Sequence, residues 1–212
     1  RKIRRQQWPH YTDTYSASGT PAPPIVTPPA PTQKPSAYDK DFYLEPSRFS
    51  VVKNEPNADL KKLYYQVYGT PCGGWYDGVS PNAAKNEGRL KNFVEGAERA
   101  QKTPIVVLYG ILNRDCGSFS KGRHPSAASY KAWIDRVSAI IGQRRAVVIV
   151  EPDAINYCGH KRGTPAYNER AELLSYAARI LQKNNPNVAT YIHVGNAVLT
   201  TNHPEQVANA II

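Results

Sequence analysis

The feature that most constrains this chain is an alternation, from about Phe42 onward, of short apolar β-branched segments with longer segments whose apolar residues recur at helical spacing. Strands are predicted around Trp75 in residues 73–78, within 103–112, at 146–150 and at 188–194. Helices are predicted at residues 82–102, 126–141 and 165–183, and from residue 204 onward. Because apolar runs such as residues 105–109 are typical of strands buried on both faces, this order predicts a parallel α/β fold, either a barrel or a doubly wound sheet.

The number of strand and helix units bounds the architecture. A parallel barrel needs about eight such units to close, whereas four are predicted here. The chain also contains no methionine, even at its first position. We therefore expect a processed form or a fragment, in which residues 37–212 form the N-terminal half of a barrel and leave one sheet edge open.

The first 36 residues differ in composition from the rest. Residues 17–36 are rich in proline, threonine, serine and alanine, which favours an extended spacer over packed structure. Four positive charges lie at the very start of the chain, on Arg1, Lys2, Arg4 and Arg5. We predict that residues 1–36 are a disordered basic tail and linker.

The net charge of +10 does not by itself indicate a nucleic-acid partner. Outside the basic tail the surplus is dispersed, and no recognition motif or interleaving of aromatic residues with arginines accompanies it. No apolar run approaches the length that a bilayer span requires. We expect neither nucleic-acid binding nor membrane binding, and keep the binding of an acidic polymer by the tail as an alternative.

Two aspartates directly follow predicted strands. Asp115 follows the strand that ends near Leu112, and Asp153 follows the strand that ends at Val150. A single aspartate in such a place commonly caps a helix or closes a turn, but two on successive units should face the same mouth of the sheet. A pair of carboxyl groups across a bond is the machinery of glycoside hydrolysis, where the proton donor needs a raised pKa.

Aromatic side chains near these aspartates fit a sugar site, because sugar rings stack their C–H groups on aromatic faces. Trp75 and Tyr109 are predicted to provide such faces. Trp133 is predicted to lie in the core, on the apolar face of its helix. The glycines around Trp75 are expected to leave room for a flat ligand, and they are Gly73, Gly74 and Gly78.

Two segments carry a resemblance to a known family. Residues 109–116 read Tyr-Gly-Ile-Leu-Asn-Arg-Asp-Cys, residues 147–153 read Val-Val-Ile-Val-Glu-Pro-Asp, and 38 positions separate Asp115 from Asp153. With the helix between them, they resemble the paired signatures of glycoside hydrolase family 6, and the likeness extends from about Trp75 to Val194. The resemblance implies a distorted parallel (β/α) barrel that cleaves β-1,4-glucosidic bonds in cellulose or related β-glucans with inversion and without a cofactor.

The resemblance also implies a role for each matching residue. Asp153 corresponds to the catalytic acid, and Asp115 to the aspartate that raises its pKa and relays protons through water. Tyr109 corresponds to a tyrosine that crowds the distorted sugar at the cleavage point. The residues expected to bind substrate are Trp75, Asp77, Arg114, His193 and Asn196. The family's base belongs to the second half of its domain, so none is assigned here.

The resemblance pairs Cys116 with Cys158 in a disulfide that ties together the two loops bearing the aspartates, and it leaves Cys72 over. Because such a bridge requires an oxidising compartment, we expect a secreted, extracellular protein. Linkers like residues 17–36 commonly tether the catalytic domains of such enzymes, which allows a tethered carbohydrate-binding or surface module as a partner.

The sequence departs from the family pattern around His193. Residues 191–196 read Tyr-Ile-His-Val-Gly-Asn where the family usually ends a strand in Asp-Ala-Gly-His, and Leu199 replaces a common tryptophan. An imidazole in place of an anion changes the local field, so a glucan-binding or vestigial protein is the alternative function. A metal site is a further alternative because imidazole is a common ligand, but no spacing of His193 with the other candidates supports it, and these are His124, His160 and His203.

Overall fold

The computed structural model describes residues 40–78, 83–113, 124–154 and 163–193, all of which belong to the second of two units, Gln33–Ile212. Within these residues four strands form one parallel sheet: β1 (Gly74–Tyr76), β2 (Ile105–Leu108), β3 (Ala146–Val150) and β4 (Val188–Ile192). The strands lie side by side in their order along the chain. A doubly wound sheet reverses its strand order at a switch point and a barrel does not, so the observed order agrees with the barrel.

Helices accompany the sheet in the predicted alternation. Those in the described residues are α1 (Ser50–Lys53), α2 (Ala58–Tyr68), α3 (Ala83–Arg99), α4 (Ala127–Ile141) and α5 (Pro165–Asn184), and a short 3-10 helix covers Pro46–Phe49. The last three α-helices each connect one strand to the next, which confirms the predicted parallel α/β fold. Within the described ranges, no helix combines the length and the apolar character that crossing a membrane would need.

The core lies between the sheet and the helices that connect its strands. The predicted apolar faces are buried, and their residues are Leu90, Phe93, Val94 and Ala97 of α3 and Tyr130, Trp133, Ile134, Val137 and Ile141 of α4. The strands contribute alternate residues to the same cluster, among them Tyr76, Leu108 and Val150. With 1% of its surface exposed, Trp133 is a core residue, as predicted.

The structure corrects the predicted end of α3. The helix ends at Arg99 rather than at residue 102, because Gln101 adopts a left-handed backbone with φ 54°. The N–H of Lys102 then donates to the carbonyl of Ala97 at 2.9 Å, and the N–H of Gln101 to that of Glu98 at 2.9 Å. This pattern is a Schellman motif, which usually uses glycine and is therefore hard to read from a glutamine.

The segment before β1 contains helices that the sequence pattern does not predict. None of the residues of α2 is buried, and its apolar residues at helical spacing, Leu60, Leu63 and Val67, lie exposed. Its beginning is set by Asn57, whose Oδ1 accepts hydrogen bonds from the N–H groups of Asp59 and Leu60, both at 3.0 Å. The predicted linker in residues 1–36 and the predicted helix from residue 204 lie outside the described residues.

Candidate functional site

The ends of the four strands lie in one row, because Tyr76 pairs with Leu108, Leu108 with Val150, and Val150 with Ile192. The residues that follow the strands therefore lie along one edge, and they are Asp77, Tyr109, Glu151 and His193. Backbone hydrogen bonds extend the pairing by one residue, with N–H donors at Tyr109, Glu151 and His193. We call this row the carboxyl edge. It is where parallel α/β proteins place reactive groups.

Two aromatic rings form an exposed corner of the carboxyl edge. The rings of Trp75 and Tyr109 are 5.2 Å apart between centroids and nearly perpendicular, at 89°. The Trp75 side chain lies 54% exposed, in contrast to the buried Trp133. An exposed indole supported by a second ring offers an apolar face to a ligand. The structure thus brings together the two aromatic residues that the sequence predicts for a sugar site.

The glycines around Trp75 serve a different purpose from the predicted one. A Cβ atom on Gly78 would lie 2.3 Å from the Trp133 indole, and Gly78 has φ +65°. A Cβ atom on Gly73 would lie 2.8 Å from Cγ2 of Val107, and one on Gly74 would lie 2.7 Å from the hydroxyl of Tyr76. The expectation that these glycines leave room for a ligand is therefore wrong, since they make room for neighbouring protein side chains.

Asp153, the predicted acid, lies in a turn after β3 with a left-handed backbone, at φ 67°. Its N–H donates a hydrogen bond to Nδ1 of His193 at 3.2 Å, and its Oδ1 lies 3.9 Å from the same nitrogen. Both side chains are 38% exposed. His193 therefore contacts the backbone of the predicted acid, a position that the sequence alone does not reveal.

The side chain of Asp77 is hydrogen-bonded to a residue of α3. Nδ2 of Asn86 donates a hydrogen bond to Oδ1 of Asp77 at 2.7 Å. The carboxyl is thereby oriented by a helix as well as by its place after β1. Its predicted contact with substrate stays a prediction.

The most buried acid among the described residues of the carboxyl edge is Glu151, to which the sequence patterns assign no role of its own. Its side chain is fully buried. The N–H of Gly110 donates to both carboxylate oxygens, at 2.9 and 3.1 Å, and the N–H of Ile111 donates to one of them at 3.0 Å. Burial raises the pKa of the neighbouring Tyr130 phenol well above its usual value, and the charge of Glu151 raises it further. An ionisable residue directly after an apolar strand was the available sequence signal.

Arg170 of α5 is the second buried charge near this edge, and it is 6% exposed. Its guanidinium donates to the carbonyl of Ala154 at 2.9 Å and to that of Asn113 at 2.8 Å. Burial lowers the pKa of Arg170, and the negative charge of Glu151 opposes that shift. The guanidinium therefore joins the loop after β2 to the loop after β3. Arg170 lies on the apolar face of α5, three, four and seven positions before Leu173, Leu174 and Ala177, and this spacing was the available sequence signal for its burial.

His124 lies in the core beneath the carboxyl edge. Its ring is 4% exposed and stacks on Trp133 with centroids 5.1 Å apart and planes 30° apart. Its Nδ1 lies 2.9 Å from the hydroxyl of Ser129. Burial lowers the pKa of His124 to about 4, and the charge of Arg136 contributes to that shift. Among the described residues, no group of three or more His, Cys, Asp or Glu side chains is arranged to hold a metal ion.

Several predicted site residues lie outside the described residues, and these are Arg114, Asp115, Asn196, Cys116 and Cys158, together with His160, Leu199 and His203. Their predicted roles and the predicted disulfide stay predictions. Cys72, the cysteine left over by the predicted pairing, is exposed and free.

Comparison with known proteins gives a consistent result. A family model described as glycosyl hydrolases family 6 matches residues 37–212. Endoglucanase A of Thermobispora bispora is 35% identical over 134 residues, which are 62% of this chain and 29% of that enzyme. Endoglucanase 1 of Streptomyces halstedii is 31% identical over 177 residues, which are 81% of this chain and 53% of that enzyme. The chain thus spans about half or less of the length of these curated relatives.

Solved structures show the same likeness. An endoglucanase from Mycobacterium tuberculosis, in complex with a methyl-cellobiosyl thio-cellobioside, superposes with a TM-score of 0.68 at 30% identity, covering 82% of this chain and 58% of that one. Cellobiohydrolase II from Humicola insolens, in complex with glucose and cellotetraose, superposes with a TM-score of 0.65 at 21% identity, covering 82% of this chain and 54% of that one. The second likeness concerns the fold alone.

Proposed function

This chain belongs to family 6 of the glycosyl hydrolases, and on that premise we propose that it hydrolyses β-1,4-glucosidic bonds in cellulose or a related β-glucan, with inversion. The observation that carries the proposal is the family match, which runs through both motifs of the carboxyl edge. The complex of the M. tuberculosis endoglucanase with a thio-linked cello-oligosaccharide supports a β-glucan as the substrate class.

Asp153 is proposed to be the general acid. The carboxyl end of β3 places it at the carboxyl edge, and its 38% exposed side chain is accessible to a ligand. A carboxylic acid at this place can protonate the glycosidic oxygen as the bond breaks, while water attacks the anomeric carbon from the opposite face of the sugar. Asp115 is proposed to support Asp153 by raising its pKa and relaying protons.

Trp75 and Tyr109 are proposed to bind the sugar rings. The exposed indole provides the stacking face, and Tyr109 supports it from the neighbouring strand at a ring distance of 5.2 Å. Stacking on an aromatic face orients a flat pyranose and removes apolar surface from water. Arg114, Asp77, His193 and Asn196 are the proposed polar contacts.

The test replaces the acid by its amide. Asp153→Asn keeps the size of the side chain and cannot donate the proton, so the release of reducing ends from soluble β-glucan should fall by about 10²- to 10⁴-fold. The matched control is Asp135→Asn on the exposed side of α4, which accepts a hydrogen bond from Tyr176 and should leave the rate unchanged. Proton NMR of the first product should show the α-anomer. An Asp153→Asn protein of normal rate would refute the assigned acid, and an initial β-anomer would refute inversion.

A glucan-binding protein without turnover is the second candidate, and the position of His193 favours it. The imidazole lies beside Asp153, with Nδ1 3.9 Å from the carboxylate, where the family resemblance leads us to expect an anion. One pair of measurements distinguishes the hydrolase from the binding protein. Binding of cellotetraose by calorimetry, together with no release of reducing ends over extended incubation, would support binding alone.

We further propose that the protein is secreted and carries a disulfide between Cys116 and Cys158. This rests on the family resemblance and on the exposed, free state of Cys72, which the proposed pairing leaves over. A tethered carbohydrate-binding or surface module, joined through residues 17–36, completes the proposal.

A further inference from the structure

Glu151 is a fully buried acidic residue, and the activity proposed above gives it no role. A carboxylate that is removed from water needs hydrogen bonds to compensate for its lost hydration. Glu151 obtains them from the backbone N–H groups of Gly110 and Ile111, at 2.9 to 3.1 Å. Hydrogen bonds to an ionised acceptor are stronger than those between neutral groups. The carboxylate therefore fixes the backbone of the loop after β2.

The two anchored amides directly follow Tyr109. Their position leaves little freedom, since a Cβ atom on Gly110 would lie 2.6 Å from the carbonyl oxygen of Asp77 and 2.8 Å from the Trp133 ring. The loop after β2 is thus packed closely against Asp77 and Trp133 at Gly110, and its amides are hydrogen-bonded to Glu151. Because Tyr109 directly precedes Gly110, fixing the amides of Gly110 and Ile111 also fixes the backbone of Tyr109. The Tyr109 ring, which contacts Trp75, is positioned with it.

Glu151 also belongs to the loop that carries the proposed acid. It lies two residues before Asp153, and both have left-handed backbones, with φ 47° and 67°. Non-glycine residues keep such a backbone only where their surroundings hold it. The hydrogen bonds that hold it here are those of the Glu151 carboxylate, of the Glu151 N–H with the carbonyl of Leu108 at 2.8 Å, and of the Asp153 N–H with His193.

Arg170, like Glu151, forms hydrogen bonds with the backbone of the loops after β2 and β3. Glu151 accepts from amides of the loop after β2, whereas Arg170 donates to carbonyls of both loops, at Asn113 and Ala154. One buried acid and one buried base thus form hydrogen bonds with backbone groups of these two loops. Together they fasten the loop of Tyr109 to the loop of Asp153.

From this arrangement we propose that Glu151 is a positioning residue, which sets the distance and orientation between the Trp75–Tyr109 ring pair and the proton donor Asp153. Glu151 does not touch the substrate. The role rests on the proposed function, because it assigns the sugar platform to the ring pair and the acid to Asp153. Its effect should therefore appear in the proton-transfer step more than in binding.

The test compares two substrates for Glu151→Gln. The amide keeps the shape of the side chain but replaces one acceptor oxygen by a donor and removes the charge. Asp153 should then be displaced, and since small displacements of reacting groups cost about 100-fold in rate, kcat on a cello-oligosaccharide should fall by about that factor with little change in KM. An aryl cellotrioside with a dinitrophenolate leaving group needs no proton from the enzyme, so its kcat should fall much less.

The matched control is Glu172→Gln, the same chemical change on an exposed carboxylate of α5 that pairs with Lys131. It should leave both substrates unaffected. If Glu151→Gln does not fold, Arg170→Lys takes its place, because an ammonium group cannot reach both loops as the guanidinium fork does. Arg170→Lys should show the same difference between the two substrates.

A loss that is equal on both substrates would overturn the proposal, since a folding defect lowers all activities alike. Hydrogen exchange gives a readout that does not depend on activity. The amides of Gly110 and Ile111 should exchange faster in Glu151→Gln than in the unsubstituted protein, while those of β3 stay unchanged. If the unsubstituted protein cleaves neither substrate, the proposed function fails, and equal exchange of Gly110 and Ile111 in both proteins would then separately refute the positioning role.

Discussion

Left-handed backbone conformations mark the loops of the carboxyl edge residue by residue. Asn113 and Asp153 adopt φ 51° and 67°, and asparagine and aspartate are the non-glycine residues that tolerate this region best. The backbone therefore favours aspartate over glutamate for an acid at position 153. Glutamate does not share this tolerance of the left-handed region. The conformation of Glu151, at φ 47°, therefore depends on the hydrogen bonds of its carboxylate.

The buried His124 should make stability depend on pH. Its pKa falls from its ordinary 6.5 to about 4 in the folded protein, so between these values the unfolded chain binds the proton more readily. Its contribution to stability is fully present above pH 6.5 and is lost as the pH falls towards 4. With about 1.36 kcal/mol for each pKa unit, reduced for partial solvent screening, the free energy of unfolding should fall by about 2 kcal/mol over this range.

His124→Phe isolates this contribution, since phenylalanine can still stack on Trp133 and does not titrate. Urea unfolding of both proteins between pH 7 and pH 4 measures it. Other groups titrate equally in both, so the free energy of unfolding should fall by about 2 kcal/mol more for the unsubstituted protein than for His124→Phe as the pH falls from 7 to 4. Curves that run parallel would show that His124 does not set this dependence.

The residues that sequence could and could not identify differ in the kind of contact they make. Asp153, Tyr109 and Trp75 stand at recognisable positions, at the ends of apolar strands or in motifs. Glu151 accepts from amides 40 and 41 positions away, and Arg170 donates to carbonyls 16 to 58 positions away. Side-chain periodicity carries no information about which distant amide or carbonyl a charge will meet.

At the scale of elements, two helices with similar caps should respond differently to the loss of their caps. Asn57 caps α2, and Ser126 caps α4 by accepting from the N–H of Ser129 at 3.2 Å. Removing such a cap costs about 1 kcal/mol. Because α2 has no buried residue whereas α4 carries much of the core, α2 should open locally and α4 only with the whole fold.

Asn57→Ala should therefore speed hydrogen exchange in α2 by about fivefold, as 1 kcal/mol implies, without changing the midpoint of thermal unfolding. Ser126→Ala should lower that midpoint. Calorimetry and exchange on both variants check the contrast. Equal midpoint shifts for the two variants would mean that α2 unfolds together with the core.

Element prediction succeeded for the helices whose apolar faces are buried and missed α2, whose apolar residues are exposed. The apolar faces of α3 and α4 are regular because each packs on the sheet. In α2 the apolar residues at helical spacing, Leu60, Leu63 and Val67, are exposed, so this helix was missed although its sequence carries the pattern. The end of α3 depends on a left-handed glutamine, which leaves no trace in hydrophobic spacing.

At the scale of the whole molecule, the alternation of strands and helices predicted a parallel α/β fold but did not decide between two architectures. The deciding observation is the unbroken spatial order of the strands, since apolar strands of either architecture have the same composition. The division of the chain at residue 36 stays a prediction, supported by a family match that begins at residue 37.

Deleting residues 1–36 tests that division. The shortened chain should keep the thermal midpoint and the kcat on soluble β-glucan, because a linker contributes no packing to the core. Binding of an acidic polymer such as polyglutamate, measured at low and high salt, should weaken in the shortened chain if the basic tail is responsible. A large fall in the midpoint would show that residues 1–36 are part of the folded domain.

The contrast between Trp75 and Trp133 makes them two distinct fluorophores. One indole is half exposed beside Tyr109, and the other is sealed in the core against the ring of His124. Emission from the first reports on what occupies the carboxyl edge and is accessible to a soluble quencher, whereas emission from the second reports on the integrity of the interior. Once the third tryptophan, Trp8, is replaced, the protein contains separate optical signals for ligand binding and for folding, with no need of an attached dye.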